Sequence, residues 1–179
     1  MTDRQGLLLA FDQAERALAE GTFPIGAIIV GENGQIIATG YNRVFSTDDP
    51  TAHAEVEAIR KIGSTLIDHP RRRFGEWTNT LYTTAEPCLQ CVGAIVFARL
   101  TKVVWAADDP LNGFASAVQR LSPPTISDHL FRKIGRTAWV PNPYRDLADR
   151  QLELMRRWNT SRGLDGITWG PVSNDRSEG

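Results

Sequence analysis

With 179 residues, 41% hydrophobic and 23% charged, the chain has the size and composition of one globular domain able to bury a single core. Lys and Arg total 20 against 21 for Asp and Glu, a formal charge of −1, so no bulk field draws the protein towards phosphate backbones or anionic lipid. The longest apolar runs, such as Ile25 to Val30 and Val92 to Ala98, are too short to cross a bilayer, and the N-terminus lacks a signal-peptide pattern, so a cytoplasmic protein without a membrane partner is expected.

Leu7, Leu8, Phe11, Ala14 and Leu18 recur at helical spacing between Asp3 and Glu20, and Gly21 supplies a stop. Ile25 to Val30 and Gln35 to Gly40 flank Gly31-Glu32-Asn33-Gly34, which is turn chemistry between antiparallel strands. A polar loop through Ser46 to Pro50 leads to a helix over Thr51 to Ile62, ending at Gly63, and then to a long loop containing Arg71-Arg72-Arg73. Thr80 to Thr84 reads as a strand, Pro87 to Arg99 as a helix with proline in its first turn, and Lys102 to Ala107 as another strand. Strands alternating with helices imply a layered α/β domain. Asp108 to Gly135 is turn-rich and receives no element. A final amphipathic helix spans Tyr144 to Asn159, with Asn142 as cap, Pro143 in the first turn, and Leu147, Leu154, Met155 and Trp158 on its apolar side. Residues 1–160 form one expected domain and 161–179 a partly disordered C-terminal extension, frayed from Ser173.

The chemistry concentrates at two expected helix starts, His53-Ala54-Glu55 and Pro87-Cys88-Leu89-Gln90-Cys91. Cys88 and Cys91 are the only cysteines, and in a reducing compartment such a pair is metal-binding or catalytic more often than a disulfide. Taken alone, Cys88-x-x-Cys91 is shared by redox pairs and closed structural zinc sites; His69 and His129 are the other histidines available to close one, and neither has ligand spacing. Joined with His53, two thiolates and one imidazole give three ligands for a zinc ion that prefers four, leaving a position for water. Cys88 stands at the positive end of a helix, which favours the thiolate. Glu55, two residues from His53, is badly placed to grip the same ion and well placed to take a proton from that water. Two thiolates cancel the charge of zinc and acidify the water less than an all-histidine site, so a neighbouring base is needed.

The paired signature H-x-E and P-C-x-x-C is that of zinc deaminases acting on cytosine or adenine. This sequence resembles the cytidine deaminase-like superfamily. It is most similar to the branch holding bacterial tRNA adenosine deaminases, guanine deaminases and fungal-type cytosine deaminases. The resemblance runs through Phe23-Pro24-Ile25-Gly26-Ala27, Asn42, Asp49-Pro50-Thr51-Ala52-His53-Ala54-Glu55, Leu81-Tyr82-Thr83-Thr84, Glu86-Pro87-Cys88 and Gly93-Ala94-Ile95. It implies a three-layer α/β/α fold with a central mixed five-stranded sheet, one Zn2+ per subunit on His53, Cys88 and Cys91, and a homodimer. It also implies proton shuttling by Glu55, a hydrogen bond from Asn42 to the base, and a pocket lined by the backbone around Ala54 and Glu86.

Departures from the branch bear on the substrate. Gln90 stands where the tRNA and guanine enzymes usually carry methionine, and Gly113-Phe114 is followed by Ala115-Ser116 rather than by two acidic residues. The loop from Pro110 to Ser116 lacks the lysine-containing pattern of the tRNA enzymes, and the tail from Asp165 holds mixed charge. The main expectation is therefore deamination of a free base, nucleoside or small heterocycle, with Phe114 as a stacking candidate in the substrate pocket. The alternative is adenosine-to-inosine deamination of tRNA, and a second alternative is a non-catalytic zinc-stabilised binding module.

Overall fold

Thr2 opens the first helix, α1 (Asp3–Ala19): its hydroxyl accepts from the Gln5 amide while the Gln5 side chain accepts from the Thr2 amide, satisfying two donors that a helix start otherwise leaves unpaired. The computed structural model describes residues 1–68, 73–74, 78–123 and 125–164. After α1 come β1 (Gly26–Gly31), β2 (Ile36–Tyr41), the short α2 (Val44–Thr47), α3 (Ala54–Lys61), α4 (Gly63–Leu66) and a two-residue ladder of β3 (Ile67–Asp68) with β4 (Arg73–Phe74). Then follow β5 (Asn79–Ala85), α5 (Leu89–Ala98), β6 (Lys102–Ala107), α6 (Ala115–Val118), α7 (Asp128–Ile134), β7 (Ala138–Val140) and α8 (Arg145–Ser161).

The main sheet is mixed and five-stranded, in the order β2-β1-β5-β6-β7. β1 runs antiparallel to both β2 and β5, while β5, β6 and β7 are parallel to one another. It follows that β2, β5 and β6 all point the same way and end at the same edge. Alternation along the strands divides the core into two layers. Ile28, Val30, Tyr82, Val104 and Ala106 meet α1 and α8, while Ala27, Ile29, Leu81, Val103 and Trp105 meet α3 and α5. The architecture is α/β with helices on both faces. Among the described residues no helix is long and apolar enough to cross a membrane.

Several expected boundaries move for local reasons. The helix expected from Thr51 starts at Ala54, because the Thr51 amide and hydroxyl both bond the Asp49 carboxylate, at 2.7 and 2.6 Å, in a turn that competes with helix. Pro87 precedes the N-cap, Cys88, rather than occupying the first turn of α5. Asn142 does not cap the last helix: its amide donates to Asp108, and Tyr144 is the N-cap, with Pro143 before it. The stretch from 108 to 135 contains α6 and α7, and β7 was not expected at all. His69, Arg71, Arg72, Trp77, Trp169 and the tail from Asp165 lie outside the described residues.

Candidate metal centre and active site

Every polar group of the site comes from a segment that leaves the common edge of β2, β5 and β6. Asn42 follows β2; His53 is the N-cap of α3, and Glu55 lies in its first turn. Glu86 follows β5, Cys88 is the N-cap of α5, and Cys91 lies in that helix's first turn. Asp109 and Asn112 belong to the loop after β6, which is zipped onto the first segment by a Glu86 N to Ala107 O bond of 2.8 Å, a Phe114 N to Pro87 O bond of 3.0 Å and a bridge between Cys88 and Gly113. Such a strand-end edge is where α/β sheets present ligand sites.

His53 Nδ1 lies 3.5 Å from Cys88 Sγ and 3.6 Å from Cys91 Sγ, and the two sulfurs are 3.7 Å apart. Zinc bonds of roughly 2.3 Å to sulfur and 2.0–2.1 Å to nitrogen at tetrahedral angles require about 3.6 Å between S and N and about 3.8 Å between sulfurs. The three donors thus already stand at the spacing of three corners of a zinc tetrahedron. Among the described residues this is the one group of three such side chains close enough to hold a metal, and His129 is exposed on α7 and takes no part in it. The Cys88 thiol is pushed down to about 4 by its hydrogen-bonded contact with Cys91, with His53 beside it adding to the effect. Cys91 is pushed up by the same contact and by burial, and the hydrogen-bonded contact with Cys88 raises His53. Each of the three binds a metal through a deprotonated sulfur or nitrogen, so protons and zinc compete for them.

Glu55 is 3% exposed, and burial drives its carboxyl above the usual range. Its Oε1 accepts from the Thr83 hydroxyl at 3.1 Å and its Oε2 lies 3.3 Å from the Cys91 sulfur, so the carboxylate stands on the metal-ligand side of the cleft. Gln90 donates to the Thr51 carbonyl at 2.9 Å and ties the start of α5 to the approach to α3. Thr83 and Gln90 carry no sequence signal for these roles, because each partner is more than 25 residues away.

The cleft holds about 310 Å³, the size of a single heterocycle with room at its mouth. Phe23, Ile25, Asn42, Glu86, Asp109 and Asn112 line it together with the metal-ligand group and Met155. Both oxygens of Glu86 are taken by backbone amides, from Ser116 at 2.7 Å and Asp109 at 3.2 Å, so it braces the loop. Ala54 is fully buried and is not among the lining residues; Phe114 packs against the core beneath α5 and also lies outside the lining, so the stacking role expected of it loses its structural basis. The aromatic that lines the cleft is Phe23, and two further rings pack on it. Phe23 lies 4.4 Å from Trp158 and 5.3 Å from Phe45, whose ring is 48% exposed, and the Arg162 guanidinium sits 4.6 Å over Phe45. Trp105 is wholly buried and Trp139 packs partly on the core.

Comparison with known proteins adds four findings. Residues 1–107 match the family of the cytidine and deoxycytidylate deaminase zinc-binding region. Over 152 residues, 84% of this chain and 92% of the relative, the chain is 34% identical to a tRNA-specific adenosine deaminase of Aquifex aeolicus (strain VF5). It is 46% identical over 89 residues to a guanine deaminase of Bacillus subtilis (strain 168), but that match spans only 48% of this chain and 51% of the relative. A solved structure from biochemical and structural studies of A-to-I editing by tRNA:A34 deaminases at the wobble position of transfer RNA superposes with a TM-score of 0.66 and 30% identity, covering 83% of this chain and 99% of that one.

Proposed function

The chain belongs to the zinc-dependent cytidine and deoxycytidylate deaminase family, and from this premise we propose that it hydrolytically deaminates an adenosine in RNA, in the anticodon of a tRNA. The observation that carries the chemistry is the donor trio of His53, Cys88 and Cys91 at tetrahedral spacing beside the buried Glu55 carboxylate. The substrate class rests on the similarity to a tRNA-specific adenosine deaminase over 84% of this chain and 92% of the relative, reinforced by the aromatic cluster packed on Phe23. There, the Phe45 ring and the Arg162 guanidinium form a face suited to stack on an unpaired base next to the target. This reverses the small-molecule preference drawn from the near-neutral charge and from the loop and tail that depart from the tRNA enzymes; α8 carries Arg145, Arg150, Arg156 and Arg157 beside Asp146, Asp149 and Glu153, so the choice rests on the similarity and not on charge.

The trio would hold zinc, which when bound supplies a Lewis acid that strengthens the acidity of water. Glu55 takes a proton from the attacking water and delivers it to the ring nitrogen beside the amine-bearing carbon. The new C–O bond forms there, Glu55 carries a proton on to the amine, the C–N bond breaks, and the products are the oxo-ring and ammonia. Burial serves this cycle, since a carboxylate short of solvent accepts a proton more readily, and the Thr83 hydroxyl holds it in one orientation. Asn42, which lines the same cleft, would hydrogen-bond the ring.

A free purine such as guanine is the second reading, favoured by the 46% identity to the guanine deaminase and by the exposed Leu111 where a phosphate-binding side chain would serve RNA. Ammonia release by zinc-loaded protein, measured with an adenosine-bearing anticodon stem-loop and with free bases and nucleosides, tests both, with Glu55→Gln as control. Turnover of the stem-loop, weakening steeply with salt and lost in the variant, supports the RNA reading. Turnover of a free base alone overturns it in favour of the second. Silence across the panel with zinc bound would favour the zinc-stabilised binding module.

A further inference from the structure

Asn42 is 2% exposed yet lines the cleft, and its side chain is held by an unusually directional set of bonds. The backbone amide of Val44 donates to Asn42 Oδ1 at 3.1 Å. An N–H can only donate, so this bond identifies the atom facing Val44 as the carbonyl oxygen. The Thr22 hydroxyl donates to the same oxygen at 2.8 Å. Thr22 is itself wholly buried, and its oxygen receives the Phe45 amide at 3.5 Å, which leaves its own proton for Asn42. Two donors therefore occupy Asn42 Oδ1, while among the described residues its Nδ2 has no protein partner.

We propose that Thr22 is a positioning residue that fixes Asn42 as a donor towards the cleft, so that the bound ring must offer a lone pair, a ring nitrogen or oxo oxygen, at that point. Without the Thr22 proton, Oδ1 keeps only the Val44 bond, so the orientation that turns Nδ2 towards the cleft is held by one donor instead of two. A ring bearing N–H at that position is excluded in the wild type for the same reason: two donors would face each other and a buried donor would go unpaired. Thr22 lies twenty residues from Asn42 and touches no substrate, so it tunes recognition only through the amide it holds.

The proposal rests on the nucleobase reading above, and the test separates the two. Wild type, Thr22→Val and Thr22→Ser are assayed on the substrate the panel identifies and on its deaza analogues, each lacking one ring nitrogen. Folding and zinc content are checked by melting and metal analysis. Thr22→Val should raise KM about tenfold with kcat within about twofold, and Thr22→Ser should restore KM. One deaza analogue should bind the wild type about tenfold worse than the natural ring, while Thr22→Val no longer discriminates between them, the signature of a coupled pair. Full discrimination in Thr22→Val, or an unchanged KM, overturns the assignment. If no ring in the panel is turned over, the functional reading fails on its own, and the side-chain amide resonances of Asn42 decide the point about Thr22. Two sharp resonances in the wild type that shift and broaden in Thr22→Val and recover in Thr22→Ser support the lock; identical spectra in all three overturn it.

Discussion

Replacing Gly40 by alanine should damage the site from below without touching it. β2 passes directly under the first turn of α3, and a Cβ at Gly40 would stand 2.1 Å from the Ala54 carbonyl oxygen and 2.7 Å from the Ala58 amide nitrogen. Side-chain carbons do not approach such atoms closer than 3.0 Å, so the helix must retreat by about 0.9 Å. Both atoms are backbone, and no rotamer relieves the clash. Overpacking of this kind costs roughly 1–3 kcal/mol, which for a chain of this length is about 2–12 °C in melting temperature. The functional loss should be larger in proportion, because α3 carries Glu55 and begins at His53 while the cysteines ride on α5. A displacement near 1 Å at a reacting group can cost on the order of 100-fold in rate. The comparison is with Gly93→Ala in α5, where a Cβ meets nothing within 4 Å and gains up to about 1 kcal/mol of helix propensity. Melting curves, zinc content and kcat/KM for the two variants make the measurement. Wild-type activity and melting in Gly40→Ala would refute the close approach of β2 and α3 as the device that sets the height of the metal ligands.

Three further outcomes follow from the same geometry. Chelation of zinc should abolish turnover and lower the melting temperature, by about 8–16 °C if the metal stands at roughly 1,000 times its dissociation constant, and added zinc but not magnesium should restore both; activity surviving in metal-free protein would dismiss the metal centre. Thr83→Val removes the hydroxyl that donates to Glu55 and should lower kcat by about 10- to 150-fold, since bonds to charged groups contribute roughly 1.5–3 kcal/mol, with zinc content unchanged; an unaltered kcat would show that Cys91 and the cleft alone orient the carboxylate. Phe45→Ala should raise KM for an anticodon stem-loop by about 5- to 150-fold, the range of one lost base stack, while leaving a free nucleoside unaffected; equal effects on both would place the ring in the target pocket instead of beside it.

Much of the frame was legible because local pattern and tertiary outcome agree. Lys102 to Ala107 is a strand with the expected ends, and the hairpin around Gly31 to Gly34 forms as its turn residues indicate. The metal trio was legible for a different reason: the residue types and their offsets from two helix starts survive translation into space. What escaped depends on partners distant in sequence. Phe114 looked like a cleft residue because it follows a strand that ends near the metal, but the amide bond to Pro87 and the Cys88–Gly113 bridge fix the loop so that its ring joins the core. Asn142 has the composition of a cap, and the Asp108 carboxylate takes its amide away. β7 is only three residues long and too short for alternation to show; it is placed by the Ala138 amide bonding Thr101 O and the Thr137 hydroxyl bonding Leu100 O.

The topology explains why a site assembled from such scattered residues is single and compact. Because β1 is antiparallel to both of its neighbours, β2 and β5 share a direction, and the parallel pairing of β5 with β6 adds a third strand end to the same edge. Three chain segments leave that edge and divide the groups between them: the neutral amide after β2 together with the imidazole and carboxylate of α3, the thiols after β5, and the closing loop after β6. Their relative heights are set at two places where a side chain is missing. Gly40 lets α3 settle onto β2, and Gly113, where a Cβ would stand 2.4 Å from Glu86 Oε2 and 2.5 Å from Asp109 O, lets the closing loop settle onto the brace that Glu86 provides. The distance between carboxylate and thiols is therefore a property of backbone packing, and substitutions on the cleft wall should alter which ring binds before they alter whether the metal does.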